Sequence, residues 1–274
     1  MRAGLLQLTV GDDPAANVPL VRAALRHAVD QGAGFVLTPE ATNCLSSDKA
    51  HQMSVLTAED ADPVLAMLRD EAARAGIWVL AGSLLVQAGD GMLANRSLMI
   101  DPRGEIVARY DKVHLFDVQV TPTETYRESA TIRPGDRAVV VPTPFGKVGL
   151  TICYDIRFAH LHRALAQAGA DILCVPAAFS PVTGAAHWET LLRARAIETG
   201  CYVLAPAQTG THPGRGARPR QTWGHSLAVA PWGEILADAG TAPNVICVDL
   251  DLSQVAHARA RVPALAHDRA FEGP

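Results

Sequence analysis

Three residues of reactive type each sit just past a short apolar run: Glu40 after Phe35–Leu37, Lys112 after 106–110, and Cys153 after 148–152. A thiol attacks a carbonyl well only as thiolate, which needs a base or a cation beside it. A carboxylate can take the thiol proton and later activate water, and an ammonium can stabilise an oxyanion. Glu, Lys and Cys brought together therefore make a complete acyl-transfer site without histidine. The backbone N–H of Tyr154, directly after the thiol, is a natural second oxyanion donor. Spacing alone does not bring the three together. A strand-end Glu or Lys is ordinarily a solvated charge, and a strand-end Cys is ordinarily core.

The elements that must position them alternate along the chain. Residues 5–10 read as a strand. Asp13-Pro14 supplies an N-cap and a first-turn proline to a helix whose stripe is Val18, Val21, Leu25, Ala28 and Val29. Strand 34–37 follows, then a helix opened by Asp62-Pro63 and stopped by Gly76, then strand 77–85. Strands 94–100 and 105–110 flank Asp101-Pro102-Arg103-Gly104, a hairpin turn. Strands at 138–141, 148–152, 171–175 and 202–205 alternate with helices at 157–168 and 186–198. Strands 226–230, 234–237 and 245–250 are expected to close the chain as linked hairpins. Segment 115–136 has no clear period, and long irregular loops in such domains tend to be functional. The alternation predicts an α/β layered fold, with reactive groups past the carboxyl ends of strands. No linker or repeat divides the chain, so residues 1–274 read as one domain.

Composition narrows the function. With 24 Lys and Arg against 28 Asp and Glu the net charge is −4, which offers no electrostatic footprint for nucleic acid or an anionic membrane. No apolar run exceeds five residues, which predicts no transmembrane helix, and the N-terminus lacks a secretory pattern, so the expected location is cytoplasmic. The five cysteines, at 44, 153, 174, 201 and 247, include no Cys-x-x-Cys pair, which argues against disulfides and structural zinc. Cys44, Cys174, Cys201 and Cys247 read as packing thiols, with Cys44 near enough to Glu40 to line a pocket. His160 and His162 lie about 200° apart on a helix and cannot share a metal ion well. His187 and His225 read as structural, Trp188, Trp223 and Trp232 as packing. Arg157 either pairs with Asp155 or touches substrate.

Three segments carry a further signal: Leu37-Thr38-Pro39-Glu40, residues 110–117 around Lys112, and residues 151–158 around Cys153. They resemble the three signature motifs of the nitrilase superfamily of carbon–nitrogen hydrolases. The likeness extends to Tyr126-Arg127-Glu128-Ser129 and Pro134-Gly135-Asp136. Pro176-Ala177-Ala178-Phe179, the stretch from Thr183 to Glu198, and Trp223-Gly224-His225-Ser226 are similar to the Nit subgroup. The resemblance spans about residues 3–250.

It implies a four-layer α-β-β-α sandwich, with Glu40 as general base, Lys112 as electrostatic stabiliser, Cys153 as nucleophile and Glu128 positioning substrate and Lys112. The implied cycle is attack on an amide, loss of ammonia, a thioester, and hydrolysis by water that Glu40 activates, with neither metal nor organic cofactor. Many relatives carry Pro-Glu where this chain has Ala159-His160, on a helix that in the family contributes to a dimer interface; a homodimer or higher homo-oligomer is implied. Arg157 and Thr183 match positions suited to gripping an α-keto acid. Among amides the resemblance favours deaminated glutathione, with α-ketoglutaramate or an N-carbamoyl compound as alternatives. A non-catalytic binding or redox-sensing module on the same fold is the rival of another class.

Overall fold

The computed structural model describes residues 1–122, 124–215 and 219–273. One six-stranded sheet comprises β1 (Arg2–Gln7), β2 (Phe35–Leu37), β3 (Trp78–Gln87), β4 (Leu93–Ile100), β5 (Ile106–Asp111) and β16 (Asn244–Asp249), in the order β16-β1-β2-β3-β4-β5. The other comprises β8 (Val139–Thr143), β9 (Gly146–Leu150), β10 (Ile172–Cys174), β11 (Tyr202–Ala205), β14 (Leu227–Val229) and β15 (Ile235–Asp238), in the order β15-β14-β11-β10-β9-β8. Each has parallel strands at its centre and antiparallel strands outside, β1-β2-β3 in one and β9-β10-β11 in the other.

Helices α1 (Pro14–Asp30) and α3 (Pro63–Ala75) cover the outer face of the first sheet, and α4 (Ala159–Gln167) and α5 (Pro181–Thr199) flank the second. Short α2 (Lys49–Val55) and C-terminal α6 (Ser253–Arg261) complete the helices. The layers are α-β-β-α, as the sequence resemblance implied.

The central strands read as unbroken apolar runs because both their faces are buried. Along β2, Phe35 and Leu37 pack into the core between the sheets while Val36 packs against the α1 and α3 layer. Asp13 caps α1 by accepting from Ala15 N and Ala16 N, and Asp62 caps α3 by accepting from Leu65 N. Gly76 ends α3 with φ 66°, a left-handed conformation that glycine adopts without a Cβ penalty. No described helix is long and apolar enough to cross a membrane.

Several expectations shift. The first strand is Arg2–Gln7, because pairing to β16 and β2 ends there; Leu8 instead bonds through its backbone to Ala207 and Thr209. The last strand does not extend the β14–β15 hairpin but crosses to the first sheet, antiparallel to β1. Helix α5 begins at Pro181, whose ring suits the first turn, rather than at 186. Segment 115–136 contains a two-stranded hairpin, β6 (Asp117–Thr121) with β7 (Glu124–Arg127), closed where Asp117 accepts from Ser129 N and Oγ. Trp232 is not packing material: it is 44% exposed, with the Arg261 guanidinium 3.9 Å from its ring centroid. The remaining short pair is β12 (Thr209–Thr211) with β13 (Gln221–Trp223).

Candidate active site

Glu40 sits on a turn just past β2 that the sheet itself shapes. Thr38 N donates to Leu80 O, Gly82 N donates to Thr38 Oγ1, and Ser83 takes hold of the turn through Pro39 O and Ala41 N. A Cβ on Gly82 would lie 1.8 Å from the Thr38 carbonyl oxygen, so only glycine lets the turn approach β3 this closely. Ala41, directly after Glu40, and Cys153 itself are held at φ 54° and 49°. Such left-handed backbone is costly for a non-glycine residue and tends to persist where a side chain must be aimed. Cys153 opens a 3-10 turn, Cys153–Arg157, after β9, and its N–H donates to Pro176 O at 2.9 Å.

Lys112 follows β5 and meets the two glutamates. Its Nζ donates to Glu40 Oε1 at 2.8 Å and to Glu128 Oε1 and Oε2 at 3.0 and 2.9 Å. Glu128 also accepts from Phe116 N at 2.6 Å, and Glu40 Oε2 accepts from Ala178 N at 2.8 Å. Asn95, on β4, donates from one Nδ2 to both Glu40 (2.9 Å) and Glu128 (3.2 Å). Both acceptors are carboxylates, so the amide must present its nitrogen to them. Its Oδ1 is buried without a partner among the described residues.

Burial raises the Glu40 carboxyl, but the charge and hydrogen bond of Lys112 outweigh it and hold Glu40 below the usual carboxylate range. Burial disfavours the Lys112 ammonium, yet Glu128 and Glu40 more than compensate, and it stays protonated well above the usual lysine range. The Cys153 thiol is pushed well up, by burial first and then by Glu40, with Lys112 opposing. The resting group is therefore a thiol beside an ionised carboxylate, an arrangement suited to proton transfer at the moment of attack.

Asp155 couples the two loops. Fully buried, it accepts from Tyr110 Oη (2.6 Å), His114 N (3.0 Å), His114 Nδ1 (2.7 Å) and Ile152 N (2.9 Å). The Asp155–Arg157 pair, one of the two readings the sequence left open, does not form among the described contacts. The described side-chain partners of Asp155 lie on β5, the Lys112 loop and the approach to Cys153, while the Arg157 guanidinium meets His187 Nδ1 at 3.3 Å and packs over Tyr154 and Phe179.

These residues end in a cavity of about 680 Å³. Glu40, Lys112, Glu128, Cys153 and Thr183 line it; Tyr154 and Arg157 are not among its lining residues. Thr183 lies in the first turn of α5 rather than in a loop, its Oγ1 donating to Ser180 O. The lining also includes Asn95, Lys49, Glu124, Tyr126 and Arg220, of which the sequence reading marked only Tyr126. Asn95 and Arg220 carried no local signal: a lone Asn in a strand and an Arg in a polar loop look ordinary. Cys44 lies outside the lining, its thiol pushed up to about 12 mainly by burial. Among the described residues no group of three His, Cys, Asp or Glu side chains is placed to hold a metal ion. His162 is fully buried, its Nδ1 donating to Phe158 O.

A carbon–nitrogen hydrolase family model matches residues 2–260, and the chain belongs to that family, the nitrilase superfamily, in its Nit branch. It is an amidase of that superfamily. It is 39% identical over 268 residues to the deaminated glutathione amidase of Yersinia enterocolitica, covering 97% of this chain and 92% of the relative. Similarity to human omega-amidase NIT2 is 36% over 269 residues, covering 98% and 95%. Among solved structures, the C. elegans NitFhit protein superposes with a TM-score of 0.90 at 34% identity; the match covers 98% of this chain and spans 65% of that longer one.

Proposed function

We propose that this amidase hydrolyses deaminated glutathione through a thioester on Cys153. Glu40 takes the thiol proton as Sγ attacks the amide carbon. Lys112 supports the oxyanion by its charge, since its short contacts go to Glu40 and Glu128, and Tyr154 N–H is the second donor. Collapse breaks the C–N bond, and the amine leaves with the proton that Glu40 returns. Water, deprotonated by Glu40, then attacks the thioester and restores the thiol. For this substrate the leaving group is the amine of a dipeptide, not ammonia as the resemblance first implied.

The size of the cavity carries the substrate reading. At about 680 Å³ it falls within the range that houses ligands of drug-like size, which suits a tripeptide-sized amide better than a five-carbon one. Comparing kcat/KM for deaminated glutathione and α-ketoglutaramate tests it; a clear preference for the latter overturns it. Acid-quenched turnover followed by intact-mass analysis tests the covalent step, with an acyl adduct expected on Cys153. We also propose a homodimer, supported by the outward face of α4, where Ala159 and Ala164 are exposed. Light scattering that returned the 29.0 kDa of one chain would overturn it.

A further inference from the structure

We infer that Asn95 is a positioning residue for the proton transfer: it locks Glu40 Oε1 and so leaves Oε2 to take the proton of Cys153. The inference rests on the reading of Glu40 as general base and Cys153 as nucleophile. Lys112 Nζ and Asn95 Nδ2 each donate to both Glu40 Oε1 and Glu128 Oε1, so two donors and two carboxylates close a ring. A carboxylate oxygen has two lone-pair sites. Those of Glu40 Oε1 are filled, by Lys112 at 2.8 Å and Asn95 at 2.9 Å. Oε2 accepts from Ala178 N at 2.8 Å and keeps a second site for a proton from the thiol or, later, from water.

Strand pairing alone does not require an amide at this position. The main chain ties Asn95 to Lys112, with Lys112 N donating to Asn95 O at 2.9 Å, and any residue would supply that carbonyl. The side chain is 2% exposed, and its Oδ1 is buried without a partner among the described residues. An unpaired buried acceptor costs stability that an apolar side chain of the same shape would not. What the amide alone supplies is a neutral second donor to both glutamates. A carboxylate there would set three anions against one ammonium. The groups facing Glu40 are Lys112 from the end of β5, Asn95 from β4 and the Cys153 thiol from the turn after β9, with Glu128 across the ring. The Asn95 bond, like that of Lys112, favours the ionised carboxylate.

The test needs no substrate. Iodoacetamide alkylates a thiol as Sγ displaces iodide, and here the thiol proton passes to Glu40. The rate at Cys153, read by intact mass and peptide mapping, is followed from about pH 4 to about pH 8. Wild type is compared with Asn95→Leu, Asn95→Asp and Glu40→Gln. Glu40→Gln should alkylate slowly, without an inflection in the acid range. Asn95→Leu should move the acid inflection up by about one pH unit and lower the plateau rate about 10-fold. Asn95→Asp, which keeps the shape and adds charge, should move the inflection further. A purely structural Asn95 would change thermal stability and leave the inflection at its wild-type position. That result overturns the inference while the reading of Glu40 as base stands, and Asn95→Asp decides it if Asn95→Leu does not fold. Should Glu40→Gln alkylate as fast as wild type, the base reading fails and takes the inference with it.

Discussion

At the buried end of the cavity Glu40, Lys112, Glu128 and Asn95 form one mutually bonded group, whereas toward solvent Lys49 donates to the Arg127 carbonyl and Arg220 to the Ala178 carbonyl while stacking on Tyr126. The buried group must hold its charges fixed before substrate arrives, because a low-dielectric site stabilises developing charge only if its dipoles need not reorganise. The outer cations are held more loosely, each through a neutral carbonyl rather than a carboxylate. The buried region is preorganised by charge on charge, and the outer one is not.

Removing the proposed nucleophile should break the buried region most completely. Cys153→Ala is expected to abolish turnover while thermal unfolding stays close to that of the parent, since few side-chain atoms are lost. Substantial residual activity would refute the thioester route. Next in size, Glu40→Gln and Lys112→Ala should each lower kcat by several orders of magnitude, about 10³ or more, as members of a unit do. Stopped assays at saturating amide would measure it.

Asp155→Asn asks whether the coupling of the Lys112 and Cys153 loops matters as much as the groups they carry. Denaturant unfolding should report a loss of about 3 kcal/mol, the scale of breaking a buried charged contact, and kcat should fall more than KM rises. An unchanged midpoint would remove Asp155 from that role.

Acid probes packing beneath both regions. Burial lowers His162 and His212 from 6.5 to about 4. Their unfolded forms therefore bind protons first, so stability is full above pH 6.5 and declines as pH falls from 6.5 toward 4. Together with Glu40, whose depressed pKa removes stability as pH falls through it, each histidine can cost about 3 kcal/mol by pH 4. His212→Asn should flatten the dependence of melting temperature on pH across that window; an unaltered slope would exclude His212. The smallest effect expected is that of Arg157→Gln on stability, about 0.5 kcal/mol or less, since its guanidinium is only half-buried beside His187.

The sequence by itself determined the alternation of strands and helices, the caps at Asp13 and Asp62, the stop at Gly76, and the three reactive residues past strand ends. Those signals are local: capping, turn chemistry and apolar runs act over a few residues. Tertiary structure alone decided which groups meet. Asn95 became a bridge between two glutamates because β4 lies beside β5, and Asp155 bonded to the Lys112 loop because the two sheets pack face to face. The strand 245–250 joined β1 across the whole length of the chain, a pairing that no short-range pattern encodes. Arg157 and Arg220 carry the same side chain. Arg220 lines the cavity and Arg157 does not, an outcome that is not written in the residues beside either of them.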